Sequence, residues 1–228
     1  MSKAIKPSNK NQTRKLVSAK TVVDYYLKRP ETGAPLFIFL HGFGETYYHL
    51  LEHFIDQVPS NAGILAPNGV FPYPQKKPGS NEWKLRYCWY FYDSAKSKYH
   101  IDQRYPSEVI SNLVKVLGLL DLETIIIGYS QGGYLAPFLG NELNHVTACI
   151  SINAEYKHLM LPKKMNFPLI NICGKDDVVV DPENCASSHQ ILMKQGNKGS
   201  FHLVNDSDHR LCPKIIETAL SQIAISMT

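Results

Sequence analysis

The chain has 228 residues, 44% of them hydrophobic and 19% charged, the balance of an ordinary globular domain. No apolar run nears the ~20 residues a membrane-crossing helix needs, and the early lysines are not followed by an apolar stretch. Neither a membrane span nor a signal peptide is therefore expected, which favours the cytoplasm. The formal charge of +4 does not call for a nucleic-acid partner: residues 1–20 hold Lys3, Lys6, Lys10, Arg14, Lys15 and Lys20 and no acid, so the basic character belongs to a polar, flexible leader and 21–228 is left mildly acidic. Five scattered cysteines without a CxxC pair argue against a disulfide framework and against a zinc site. Cys149 and Cys173 lie in apolar runs and read as small buried side chains.

After the leader, 21–27 reads as an edge strand and 35–40 (PLFIFL) as an unbroken apolar run of the kind buried on both faces of a parallel sheet. Further strands are expected at 63–66, 124–128, 146–152, 169–173 and 201–204. Helical periodicity fills 46–58, 107–119, 132–139, 181–195 and 213–225, the fourth opened by Asp181 as cap and Pro182 where a missing N–H is harmless. This alternation predicts an α/β fold, a mostly parallel sheet flanked by helices, in one domain over 21–228. Residues 67–105 break the rhythm: a long connection with little periodicity and nine aromatics between Phe71 and Tyr99, expected to pack over the sheet edge, wall a ligand cleft, or do both. Trp89, Tyr90 and Tyr92 are its candidate substrate contacts.

The sharpest motif is Gly128-Tyr129-Ser130-Gln131-Gly132, which starts where the strand ending Ile-Ile-Ile-Gly stops and runs into a helix. In that setting the pattern is a nucleophile elbow: a tight, strained turn, small residues two before and two after the serine, and a helix N-terminus that favours developing negative charge. His41-Gly42-Phe43-Gly44-Glu45 follows an earlier strand, where acyl transfer needs a second backbone donor for the tetrahedral oxyanion. The two donors expected are the N–H groups of Phe43 and Gln131. His41 precedes the nucleophile and reads as a structural hydrogen-bonder.

A serine needs a base, and the base an orienting carboxylate; in this fold the chain order is Ser, acid, His. His145 and His158 come before the acid turn, His189 falls in a helix and His202 in the last strand, whereas His209 lies in the loop just past that strand and is the expected base. Asp176 and Asp177 both follow the strand at 169–173. The Gly174 turn resembles the acid loop of such enzymes in a way that favours Asp177, with Asp176 the alternative and whichever is not used a turn or surface residue.

Taken together, HGFGE, GYSQGG, GKDDVVV and the final His resemble the carboxylesterase, phospholipase and acyl-protein thioesterase family of α/β-hydrolases over about residues 35–225. The resemblance implies a serine hydrolase that cleaves small-molecule esters or thioesters through an acyl-enzyme, with no cofactor and no metal. A peptidase or amidase, and a binding module without turnover, are the alternatives. Pro137 departs from the pattern: it stands inside the helix after the nucleophile and predicts a bend there. The 16 residues at 153–168, where many such hydrolases insert a lid domain, leave no room for one, so an open site is expected.

Overall fold

The computed structural model describes residues 20–227, so the leader expected over 1–20 lies, but for Lys20, outside them. In chain order the elements are β1 (Tyr25–Lys28), β2 (Leu36–Leu40), α1 (Tyr47–Leu51), β3 (Gly63–Pro67), β4 (Phe71–Lys76), β5 (Trp83–Cys88), β6 (Phe91–Asp93), β7 (Lys98–Ile101), α2 (Arg104–Val116), β8 (Thr124–Tyr129), α3 (Gln131–Glu142), β9 (Val146–Ile152), β10 (Leu169–Gly174), α4 (Pro182–Lys194), β11 (Gly199–Val204) and α5 (Pro213–Ser226). Seven of the strands make one sheet in the order β1-β3-β2-β8-β9-β10-β11. Only β1 runs antiparallel to its neighbour; the other pairings are parallel.

The sheet is covered on both faces, and the apolar runs of its strands follow from that. Successive side chains of a strand point to opposite sides. In β2, Leu36, Ile38 and Leu40 join Ile126, Cys149 and Leu169 on the side where α2, α3 and α4 pack through Ile110, Val114, Leu135 and Leu192. Phe37 and Phe39 join Ile125, Ile127, Ile150 and Ile172 on the other, against Leu50, Phe54 and the α5 residues Ile215 and Ala219. Cys149 and Cys173 are buried, as their apolar surroundings led one to expect.

Two expectations are corrected. The helix expected over 46–58 is α-helical only to Leu51, after which the His53 and Phe54 N–H groups donate three residues back and the chain tightens into short turns. The stretch 67–105 is not an irregular connection: it holds two antiparallel hairpins, β4 with β5 and β6 with β7. Pro72 and Pro74 hide the first of them. A ribbon of two strands uses the N–H of every second β4 residue, and prolines spaced two apart fall together on the side that donates nothing.

Pro137 stands inside α3, where its place in the sequence put it, and the helix runs unbroken from Gln131 to Glu142. Proline supplies no N–H to the carbonyl four residues back. That carbonyl belongs to Gly133, and it accepts instead from the buried Ser151 hydroxyl at 2.9 Å. The missing helical bond is replaced from the neighbouring strand.

Candidate active site

The carboxyl ends of β2, β8, β10 and β11 carry the residues singled out in the sequence, the edge at which parallel α/β sheets present their sites. Ser130 closes β8 and caps α3 with φ 49° and ψ −118°, a strained conformation for a residue with a side chain. The turn is held tight by contact: a Cβ on Gly132 would collide with the Leu40 carbonyl, so the start of α3 lies directly against the end of β2. The Gln131 N–H, in the first turn of the helix, has no acceptor within it.

His209 bridges the other two side chains. Its Nε2 lies 3.0 Å from Ser130 Oγ and its Nδ1 2.7 Å from Asp177 Oδ2. Asp177 is buried, with 1% of its side chain exposed, and its other oxygen, Oδ1, accepts the N–H groups of Val179 and Val180 at 2.8 and 2.9 Å. A buried carboxylate with both oxygens occupied has one orientation open to it, and that orientation faces the imidazole. Asp176 is exposed and its N–H donates to the Ser207 carbonyl; it takes no part in the arrangement.

Sequence reasoning missed the residues that hold this geometry. Asn153, with φ 49°, donates from Nδ2 to the His209 carbonyl at 2.8 Å and accepts the Gly174 N–H at 2.9 Å, tying the histidine loop to the acid turn. The Tyr129 hydroxyl donates to the same His209 carbonyl at 2.8 Å, and its ring packs 5.5 Å from the imidazole. An Asn directly after the apolar strand ending Ile-Ser-Ile was the available signal for the first; Tyr129 occupies a free position of the elbow motif and gave none.

Phe43 sits in the loop after β2, the residue 52% exposed and its ring 5.2 Å from that of Tyr73. His41, fully buried, is hydrogen-bonded at both ring nitrogens, to the Gly42 carbonyl and from the Gly69 N–H, and burial lowers its pKa to about 4. It is the structural hydrogen-bonder expected. Glu45, partly buried, accepts the Gly42 N–H at 2.9 Å, and burial raises its carboxyl above the ordinary value.

The candidate substrate contacts divide. Tyr92 is exposed, but Trp89 and Tyr90 are buried, and their expected place on the cleft wall is corrected. The Trp89 indole N–H donates to the His41 carbonyl at 2.8 Å, which puts the ring under the loop that follows β2. Tyr90 packs edge-on against Tyr99.

The fold and this edge of the sheet define the chain as an α/β-hydrolase. A family model described as phospholipase/carboxylesterase matches residues 28–227, and the chain belongs to that family, whose chemistry is ester hydrolysis. It is 34% identical over 92 residues to acyl-protein thioesterase 1 homolog 2 of Dictyostelium discoideum, a stretch that makes up 37% of this chain and 41% of that relative. The chain thus matches less than half the length of that curated relative. Among solved structures, the fold is shared with the Bacillus cereus carboxylesterase (TM-score 0.68, 14% identity, 90% of this chain and 94% of that one). It is shared too with Zea mays acyl-protein thioesterase 2 (TM-score 0.66, 16% identity, 90% and 99%). No helix among the described residues is long and apolar enough to cross a membrane.

Proposed function

We propose that the protein is a serine hydrolase that cleaves carboxylic esters or thioesters with short to medium acyl groups through an acyl-enzyme on Ser130. The observation that carries this reading is the unbroken chain from Ser130 Oγ through His209 to the buried Asp177, mounted on a strained elbow.

In the proposed mechanism Ser130 Oγ attacks the acyl carbon while His209 Nε2 takes its proton, and Asp177 holds Nδ1–H and stabilises the imidazolium. The oxyanion that forms is met by the Phe43 and Gln131 N–H groups. Collapse returns the proton from His209 to the departing alcohol or thiol. Water, activated by the same histidine, then releases the acid and restores Ser130.

The acyl preference rests on the mouth of the site. Segment 153–168 is too short for a lid, and the exposed rings of Phe43 and Tyr73 form a shelf beside the oxyanion loop. A deep groove rewards each added methylene with about 0.8 kcal/mol; an open shelf flattens that gain. The likeness to an acyl-protein thioesterase homologue supports thioesters within the same class.

The test is labelling by a fluorophosphonate, with the modified peptide mapped, alongside kcat/KM for p-nitrophenyl esters of increasing chain length. Label on Ser130, its loss together with hydrolysis in Ser130→Ala, and activity that falls for long chains are expected. Hydrolysis retained by Ser130→Ala would end the serine reading, and a monotonic rise through long acyl chains would end the short-chain one.

A further inference from the structure

Of the two N–H groups assigned to the oxyanion, Gln131's is aimed by the helix it begins, whereas Phe43's belongs to a loop and needs something to aim it. In a trans peptide the carbonyl and the N–H point in opposite directions, so fixing one fixes the other. The Phe43 N–H shares its peptide with the Gly42 carbonyl. That carbonyl accepts from His41 Nδ1 at 2.7 Å. The proton must be on Nδ1, because Nε2 accepts the Gly69 N–H at 2.9 Å. The preceding peptide is held just as firmly: its carbonyl, on His41, takes the Trp89 indole N–H at 2.8 Å, and its N–H, on Gly42, donates to Glu45 Oε2 at 2.9 Å. On the far side, the Gly44 N–H donates to the Tyr87 carbonyl at 2.9 Å. The amides on either side of Phe43 are therefore committed, and its own is turned away from His41.

We infer that His41 and Glu45 are positioning residues that set the Phe43 N–H toward the cleft before substrate arrives, so that the oxyanion hole is preformed. The inference rests on the proposed serine chemistry and adds to it a division of labour. Glu45 anchors the first peptide and His41 the second, while Ser130, His209 and Asp177 act on the reacting atoms. Glu45 keeps its place through its own backbone, whose carbonyl accepts the Tyr87 N–H at 3.0 Å. Because the donor is aimed at an oxygen that carries full charge only in the transition state, the clamp belongs in kcat rather than KM.

The two residues can be separated by isosteric logic. Asn places an amide nitrogen where His Nδ1 stands; Gln reaches the Nε2 position and leaves the Gly42 carbonyl without a donor. Glu45→Gln keeps an acceptor for the Gly42 N–H, and Glu45→Ala removes it. On a short p-nitrophenyl ester, Glu45→Ala is expected to lower kcat by about tenfold to a hundredfold with KM within about twofold of the parent, and Glu45→Gln to recover most of the loss. His41→Asn is expected to retain at least about tenfold more kcat than His41→Gln. The inhibition constant of phenylboronic acid, whose tetrahedral adduct places an oxygen in the hole, should rise by the factor by which kcat falls. A folding defect alone would not reproduce that match, and melting curves on each variant report folding separately. If the His41 variants fail to fold, the Glu45 pair decides alone. Parental kcat in Glu45→Ala, equal losses in Glu45→Gln and Glu45→Ala, or unchanged boronate affinity beside a reduced kcat would overturn the clamp. Ser130→Ala in the same assay keeps the two readings apart. If it hydrolyses the ester, the nucleophile assignment fails and the clamp with it; if it is inert while Glu45→Ala is unimpaired, the clamp alone fails.

Discussion

Replacing Asp177 by Asn changes almost nothing in shape and nearly everything in the proton inventory of the site. Asp177 Oδ1 accepts two backbone N–H groups, from Val179 and Val180, and an amide oxygen in that place keeps both. The amide nitrogen then occupies the Oδ2 position, 2.7 Å from His209 Nδ1, where it donates and cannot accept. His209 must offer a lone pair at Nδ1, so its proton moves to Nε2, the nitrogen 3.0 Å from Ser130 Oγ, and no base remains for the hydroxyl. An inverted tautomer of this kind lowers kcat by about 10⁴, equivalent to about 5.5 kcal/mol in the barrier. Stability should fall far less, by about 1–3 kcal/mol for one altered buried hydrogen bond. Asp176→Asn, at an exposed carboxylate outside the arrangement, should leave kcat within about twofold. The assay is kcat/KM on a short-chain p-nitrophenyl ester with urea unfolding of each variant. A loss under tenfold in Asp177→Asn, or matching losses at both positions, would refute the reasoning.

Two further outcomes follow from groups behind the site. Ser151→Ala should destabilise the fold by about 1–3 kcal/mol because it strips the Gly133 carbonyl of its donor, and Pro137→Ala, which returns a helical N–H to that carbonyl, should recover most of the loss in the double variant; additive effects in urea unfolding would refute the pairing. His41, with its pKa lowered by burial to about 4 against 6.5 when unfolded, leaves the unfolded chain binding more protons between those values. Its share of stability is therefore complete above pH 6.5 and lost as pH falls toward 4, by about 3 kcal/mol in all. Glu45, whose carboxyl is raised by burial, acts with the opposite sign, so the quantity to measure is the difference between parent and His41→Asn; unfolding curves that stay parallel from pH 7 to pH 4 would count against it.

The sheet was legible because its central strands are short apolar runs, several bounded by Gly or Pro, and 146–152 coincides with β9 to the residue. Helix ends were less so. The helix expected at 107–119 begins at Arg104, since Pro106 is tolerated in a first turn and the periodic residues alone do not mark a start. Ser130, Asp177 and His209 were found through their places after β8, β10 and β11, and the structure brings their side chains together. The first hairpin was hidden by Pro72 and Pro74, which one edge of a ribbon accommodates. No local signal told Trp89 to turn inward, because its partner, the His41 carbonyl, lies 48 residues away in the chain.

That inward turn changes what the aromatic stretch is for. Gln131 occupies an open position of the elbow pattern, and its main chain alone suffices for the oxyanion role proposed for it. Its side chain nonetheless accepts the Trp89 N–H at 2.8 Å and donates to the Tyr90 carbonyl at 2.9 Å, while the Trp89 ring holds the loop that carries Phe43. One buried amide thus ties the start of α3 to the Trp89 segment and, through the Trp89 ring, to the loop of Phe43, the two places proposed to supply oxyanion donors. Truncating it would leave two main-chain polar groups without partners in the interior, which costs more than the hydrogen bonds themselves contribute. The residue after Ser130 is therefore constrained by its side chain as a strut, and the aromatics between Phe71 and Tyr99 serve the candidate site in part from beneath it.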